Sequence, residues 1–181
     1  GTASQGRILL AAALTLAEIE THFAHHITAQ DEISFDRAAG ALRARRRRRL
    51  HAITLADQPL PIAPTHETAK VLADGITALG LDRLPWSKPL KQWRDRVMFL
   101  RAAAPGEWPD LSDAALADKR EDWLVAALAD KTALSQLTAG ELSDAVMGLL
   151  PWDLRQRLDR EAPTHFEAPT GSMIPIDYEA E

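Results

Sequence analysis

At 181 residues and 46% apolar composition, the chain is long enough for one sizeable core or two small ones. Its 26 acidic residues outnumber 21 basic ones for a net charge of -5, which excludes polyanion binding by the chain as a whole and confines any nucleic-acid surface to a local patch. The absence of cysteine excludes disulfides, zinc ribbons and thiol nucleophiles, and fits a reducing compartment. No apolar run approaches the roughly 18 residues of a membrane span, and the start lacks a basic-then-apolar leader, so the reading is a cytoplasmic protein with no membrane partner.

The chain opens Gly1-Thr2-Ala3 without a Met and closes in an extended-looking run through Tyr178, the pattern expected of a segment of a longer polypeptide. Residues 7–13 are apolar and short enough for a buried strand. Thr15-Leu16-Ala17-Glu18 then has the capping-box spacing that opens a helix to about His26. Ile33 and Phe35 alternate with polar neighbours, residues 36–40 supply a turn, and residues 41–55 resume in alternation, which predicts a hairpin. Pro59, Pro61 and Pro64 disfavour both helix and central strand and mark a boundary.

Beyond the prolines the apolar spacing becomes helical. Val71, Leu72, Ile76 and Leu79 predict a helix over 65–79 that stops at Gly80. Ser87 caps a second, with Leu90, Trp93, Val97 and Leu100 on one stripe. Ser112 caps a third to about Leu128, and Thr138 with Glu141 repeats the capping box before Leu142, Val146 and Leu149. Pro151 begins a last amphipathic helix that Pro163 ends. Turn chemistry at Pro169-Thr170-Gly171-Ser172 then separates two extended runs.

The most unusual feature is Arg43 followed by Arg45, Arg46, Arg47, Arg48 and Arg49 without interruption, in a segment that reads as a strand. Alternation divides these guanidiniums between the two faces of a sheet. A ribbon of arginines offers bidentate donors to phosphates and planar surfaces for base stacking, so RNA is a chemically sensible partner. An edge strand loaded with charge to prevent aggregation, its arginines paired with acids, fits the same residues.

Other motifs carry less. Glu18, His22, His25 and His26 fall at helical spacings that resemble a metal-ligand face, but no HExxH accompanies them, and the residues read as an exposed helical surface with no metal. Gly75 and Gly80 have the glycine spacing of a phosphate-binding loop, yet Leu81-Asp82 stand where Lys and Ser or Thr are required, so the match is one of chance. No GxSxG or distinctive carboxylate pair occurs. Trp86, Trp93, Trp108, Trp123 and Trp152 all lie in the helical half, where they read as packing residues.

Several stretches taken together resemble the region that follows the two helicase domains in HrpB, a bacterial branch of the DEAH-box RNA helicases. They include Arg7-Ile8-Leu9-Leu10-Ala11, Ala44-Arg45-Arg46-Arg47, Leu84-Pro85-Trp86, Trp108-Pro109-Asp110-Leu111, Glu121-Asp122-Trp123-Leu124, Leu149-Leu150-Pro151-Trp152, and Ala162-Pro163-Thr164-His165-Phe166-Glu167-Ala168-Pro169. Their order and spacing span nearly the whole chain.

In that family, ATP and Mg serve tandem RecA-like domains with a phosphate-binding loop, a DEAH motif and a QxxGRxGR motif, none of which occurs in this sequence. The resemblance therefore implies a segment with no catalytic residues and no cofactor of its own. Its implied role is accessory, helping to form the nucleic-acid channel, with RNA and the RecA-like domains as partners. A protein-docking module of the same helicase, without RNA contact, is the alternative. The expected architecture is α+β: a small mixed unit at 1–61 carrying the arginine strand, a helical unit at 62–162, and the start of a further β-containing module at 163–181.

Overall fold

The computed structural model describes residues 15–179, so the strand expected at 7–13 lies outside the described residues. The described chain is α+β, and it separates into two compact units. One holds residues 15–32 and 44–61; the other holds 33–43 and the chain from 62 onward.

The first unit begins with α1 (Leu16–His22), opened by the capping box that the sequence predicts. The Thr15 side chain accepts from the Glu18 amide, and Glu18 accepts from the Thr15 amide at 2.7 Å. The helix stops at His22, four residues short of the expectation, because Phe23 leaves helical geometry and Ala24–His26 tighten into a 3-10 turn. β1 (Ile27–Asp36), β2 (Ala41–Leu50) and β3 (Ile53–Leu60) follow in a sheet of order β1-β2-β3.

The expected two-stranded hairpin is thus a three-stranded meander. The difference arises at His51 and Ala52, which make a tight turn between Leu50 and Ile53 with His51 at φ 52°. Neither residue carries the Gly or Asn signature that marks such a turn in sequence. Pro59 lies inside β3, an edge strand, the kind of strand in which a sheet tolerates proline.

In the second unit the tip of the β1–β2 hairpin joins the helices. Asp36 accepts from the amides of Ala38 and Ala39, and Gly40 takes the left-handed conformation, φ 61°, that closes the turn. Leu42 donates to the carbonyl of Thr132 at 2.8 Å, and Leu134 donates to that of Gly40 at the same distance. These two bonds satisfy the Leu42 amide of β2 and the Gly40 carbonyl of the preceding turn against the loop before the later helices.

The helices are α2 (His66–Leu79), α3 (Lys88–Ala103), α4 (Asp113–Asp118), α5 (Arg120–Ala127), α6 (Ala139–Met147) and α7 (Trp152–Glu161). Capping side chains open four of them: Thr65, Ser87, Ser112 and Thr138. The single helix expected from Ser112 to about Leu128 breaks at Lys119, whose ψ of 18° leaves the helical basin. The break leaves the Leu116 carbonyl to the Trp123 indole, which donates to it at 2.9 Å.

α2 packs on α5, α5 on α6, and α3 on α7. Their shared core is built on Leu72, Ile76, Leu90, Val97, Leu124, Leu142, Val146 and Leu158, all essentially without solvent exposure. Each such side chain contributes about 2 kcal/mol by leaving water, before entropy is counted. Trp108 and Trp123 join this core as packing residues, whereas Trp152 is 70% exposed.

After α7 the chain forms a small antiparallel ribbon, β4 (His165–Glu167) with β5 (Met173–Pro175), turned through Gly171 at φ 80°. Tyr178 then returns the chain to the helices. Its hydroxyl donates to the Pro163 carbonyl at 2.8 Å and its ring meets Phe99 edge-on at 5.2 Å.

Candidate nucleic-acid interface

β2 is the central strand of its sheet, so the arginine run is not an edge device. Both faces of β2 carry guanidiniums. Arg43, Arg45, Arg47 and Arg49 follow one face, Arg46 and Arg48 the other. The ladder with β3 slips between Arg48 and Arg49, where Leu55 is passed over, so the bulge lies on β3 and β2 keeps its alternation.

Five of the six arginines have carboxylate partners. Arg46 grips Asp31 with both ends of its fork, Nε to Oδ1 at 2.7 Å and Nη2 to Oδ2 at 2.8 Å. That pairing holds the Asp31 carboxyl below its usual range. Arg48 reaches Glu20 on α1. On the other face, Asp57 lies directly across the ladder from Arg47 and takes Arg45 at 3.0 Å and Arg47 at 3.7 Å, while Glu32 takes Arg47 at 3.2 Å. Arg43 approaches Asp36 at 3.4 Å; the amide of Ala39 and then the Arg43 guanidinium lower that carboxyl's pKa.

Arg49 differs. Among the described residues it has neither an ion pair nor a side-chain hydrogen bond, and it is exposed at the rim of a small recess lined by Thr28, Gln30, Glu32 and Arg47. The side chains of the five partnered arginines are between 38% and 59% exposed, so water screens their ion pairs and each is weak individually.

The acidic partners escape a reading that attends only to the basic run. The signal was present in the hairpin: counting outward in step from Asp36 and Ala41, which flank the turn, brings Asp31 opposite Arg46.

The helical spacing of Glu18, His22, His25 and His26 does not persist in space, because α1 ends at His22 and the other two histidines lie in the 3-10 turn. His26 instead faces His51, ring centroids 5.5 Å apart. Gly75 lies within α2, and no strand-loop-helix surrounds it. In the helical unit a groove of about 620 Å³ runs between α3 and the chain after β5, with Lys88, Lys91 and Asp95 on one side and Asp177 and Glu179 on the other. Burial, opposed by Arg94 and reinforced by Glu179 and Asp177, raises the pKa of Asp95. Among the described residues, no helix is long and apolar enough to cross a membrane.

Comparison with known proteins falls on the same two parts of the chain. Residues 26–60 match the family described as the connector region of the ATP-dependent RNA helicase HrpB, and residues 123–181 match the family described as ATP-dependent helicase C-terminal. The ATP-dependent RNA helicase HrpB of Escherichia coli is 33% identical over 180 residues, covering 98% of this chain and 22% of that protein. A crystal structure of the E. coli DExH-box NTPase HrpB superposes on 92% of this chain and 21% of its own, with TM-score 0.62 and 31% identity. A second, described as E. coli DEAH/RHA helicase HrpB, gives TM-score 0.62 at 33% identity over 85% of this chain and 20% of its own. The chain thus spans about a fifth of the length of the relatives it matches. Connector residues match in the sheet, C-terminal residues match in the later helices, and on this ground the chain belongs to the HrpB family of ATP-dependent RNA helicases.

Proposed function

We propose that this chain is a non-catalytic accessory region of a DEAH-box-type, ATP-dependent RNA helicase, that it helps to form the nucleic-acid channel, and that it binds RNA through the arginines of β2. ATP and Mg would serve the RecA-like domains of the whole protein, which would be this region's protein partners, in the cytoplasm. The division of labour follows the chain: the arginine-bearing sheet before the prolines, the helices after them, and a further β-containing module opening near residue 163.

One observation carries the reading. Six arginines stand on one strand, on both of its faces and close enough to solvent to exchange partners, within residues that match the helicase connector. Guanidinium forks suit phosphate oxygens, and release of counterions from the backbone supplies affinity without sequence preference.

The test is fluorescence-anisotropy titration of a labelled single-stranded RNA across a salt series, with the chain and with a variant carrying R45A, R47A and R49A. Binding that weakens steeply with salt, and a variant whose log-affinity slope is shallower by about 0.7 for each phosphate contact removed, supports the reading. Absence of binding at low salt removes it.

The docking alternative is favoured by a different observation: Phe166 and Ile174, cross-strand partners on the β4–β5 ribbon that are 57% and 50% exposed, pair their apolar side chains on one face. Binding to a protein partner that ignores salt and the arginine variant would favour it.

A further inference from the structure

The arginine strand is less basic than its sequence suggests. Across residues 15–32 and 44–61 the acids Glu18, Glu20, Asp31, Glu32 and Asp57 balance Arg45, Arg46, Arg47, Arg48 and Arg49, leaving no net charge with histidines neutral. A phosphate approaching Arg45, Arg46, Arg47 or Arg48 must displace a carboxylate already in place and leave that carboxylate near a second negative charge. Arg46 presents the hardest exchange, since its Nε and Nη2 are already bound to both oxygens of one carboxylate.

No such exchange is needed at Arg49. Its five donors are unengaged by any described residue, it is exposed, and the adjoining recess is lined by the hydroxyl of Thr28 and the amide of Gln30 together with Glu32, whose carboxylate is held by Arg47 at 3.2 Å.

Resting on the RNA-binding reading above, we propose that Arg49, at the end of β2 beside the His51 turn, is the principal phosphate contact of this strand. Thr28 and Gln30 complete a subsite for one backbone phosphate, while the carboxylate-bound arginines act as a structural ladder that holds β2 between its neighbours.

The experiment compares R49Q with R46Q, each of which removes one positive charge and so changes the long-range field alike. Both are titrated against the same labelled single-stranded RNA across a salt series, with circular dichroism confirming that each folds. R49Q is expected to lower affinity about fivefold at 0.1 M salt and to flatten the log-log salt slope by about 0.7, one counterion released on a single strand. R46Q is expected to leave that slope unchanged. Equal slopes for R49Q and the unaltered chain, or a larger loss in R46Q, overturn the proposal while leaving RNA binding by the strand intact. If the unaltered chain binds no RNA at low salt, the underlying reading fails and the subsite falls with it.

Discussion

A Cβ built on Gly75 in the middle of α2 would lie 2.1 Å from Cγ of Phe35, the aromatic residue near the tip of the β1–β2 hairpin. The ring lies against the bare helix backbone, which is why a glycine interrupts an otherwise strong helical stripe. In sequence the same residue mimics the first glycine of a phosphate-binding loop; in the fold its role is close packing. G75A would gain up to about 1 kcal/mol in helix propensity and lose more to the clash. We predict net destabilisation of about 1 to 3 kcal/mol by chemical denaturation. Combining it with F35A should cost clearly less than the sum of the single changes, and strict additivity would contradict the contact.

Arg96 is the most deeply buried guanidinium of the helical unit, 5% exposed, and it closes the end of α7. Its Nε donates to the Ala162 carbonyl at 2.6 Å, and Nη2 donates to Asp159 at 2.8 Å and to the Leu158 carbonyl at 3.4 Å. The Ala162 carbonyl, on a residue with no exposure, lies past the last turn and has no partner within the helix, whereas the Leu158 carbonyl also accepts from the Ala162 amide. R96M keeps the aliphatic stem and removes every donor. Loss of about 1 to 3 kcal/mol is expected, with amide exchange accelerating first at the end of α7. Unchanged protection there would contradict the capping role.

Acid should loosen the start of α6 before the rest of the helical unit. Glu141 accepts from the Thr138 amide at 2.9 Å and from Lys131 at 2.9 Å, and the amide bond, then Lys131, bring its pKa down from 4.5 to about 2. A carboxylate depressed in the folded state contributes stability that is fully present above its unfolded value. That stability is lost as pH falls through the folded value. The window therefore runs from about 4.5 down to about 2. Thermal melts should show a decline across it that is smaller in E141Q, whose melting temperature should already be lower at neutral pH. Parallel pH profiles for the two proteins would refute the assignment.

Local signals in the chain were legible wherever a residue's own chemistry makes the structure. Thr15, Ser87, Ser112 and Thr138 all cap the helices their spacing announces, and Gly80 ends α2. The α+β character followed from the change of period at the prolines. Features that depend on partners distant in sequence were not legible. The His51 turn lacks the residues that usually mark one, the kink at Lys119 serves a carbonyl that only Trp123 reaches, and the exposure of Trp152 depends on what the other helices cover. The candidate site was half legible, since the arginines stand out by composition and their carboxylates emerge only once strands are paired.

The most direct test of the account is ultraviolet crosslinking of the chain to a photoreactive single-stranded RNA, with the modified peptides mapped by mass spectrometry. Crosslinks concentrated on β2 and the His51 turn, and suppressed by added salt, are the predicted result. Crosslinks confined to the helices or to the β4–β5 ribbon, or none at low salt, would contradict the claim that the arginine strand is where this region meets RNA.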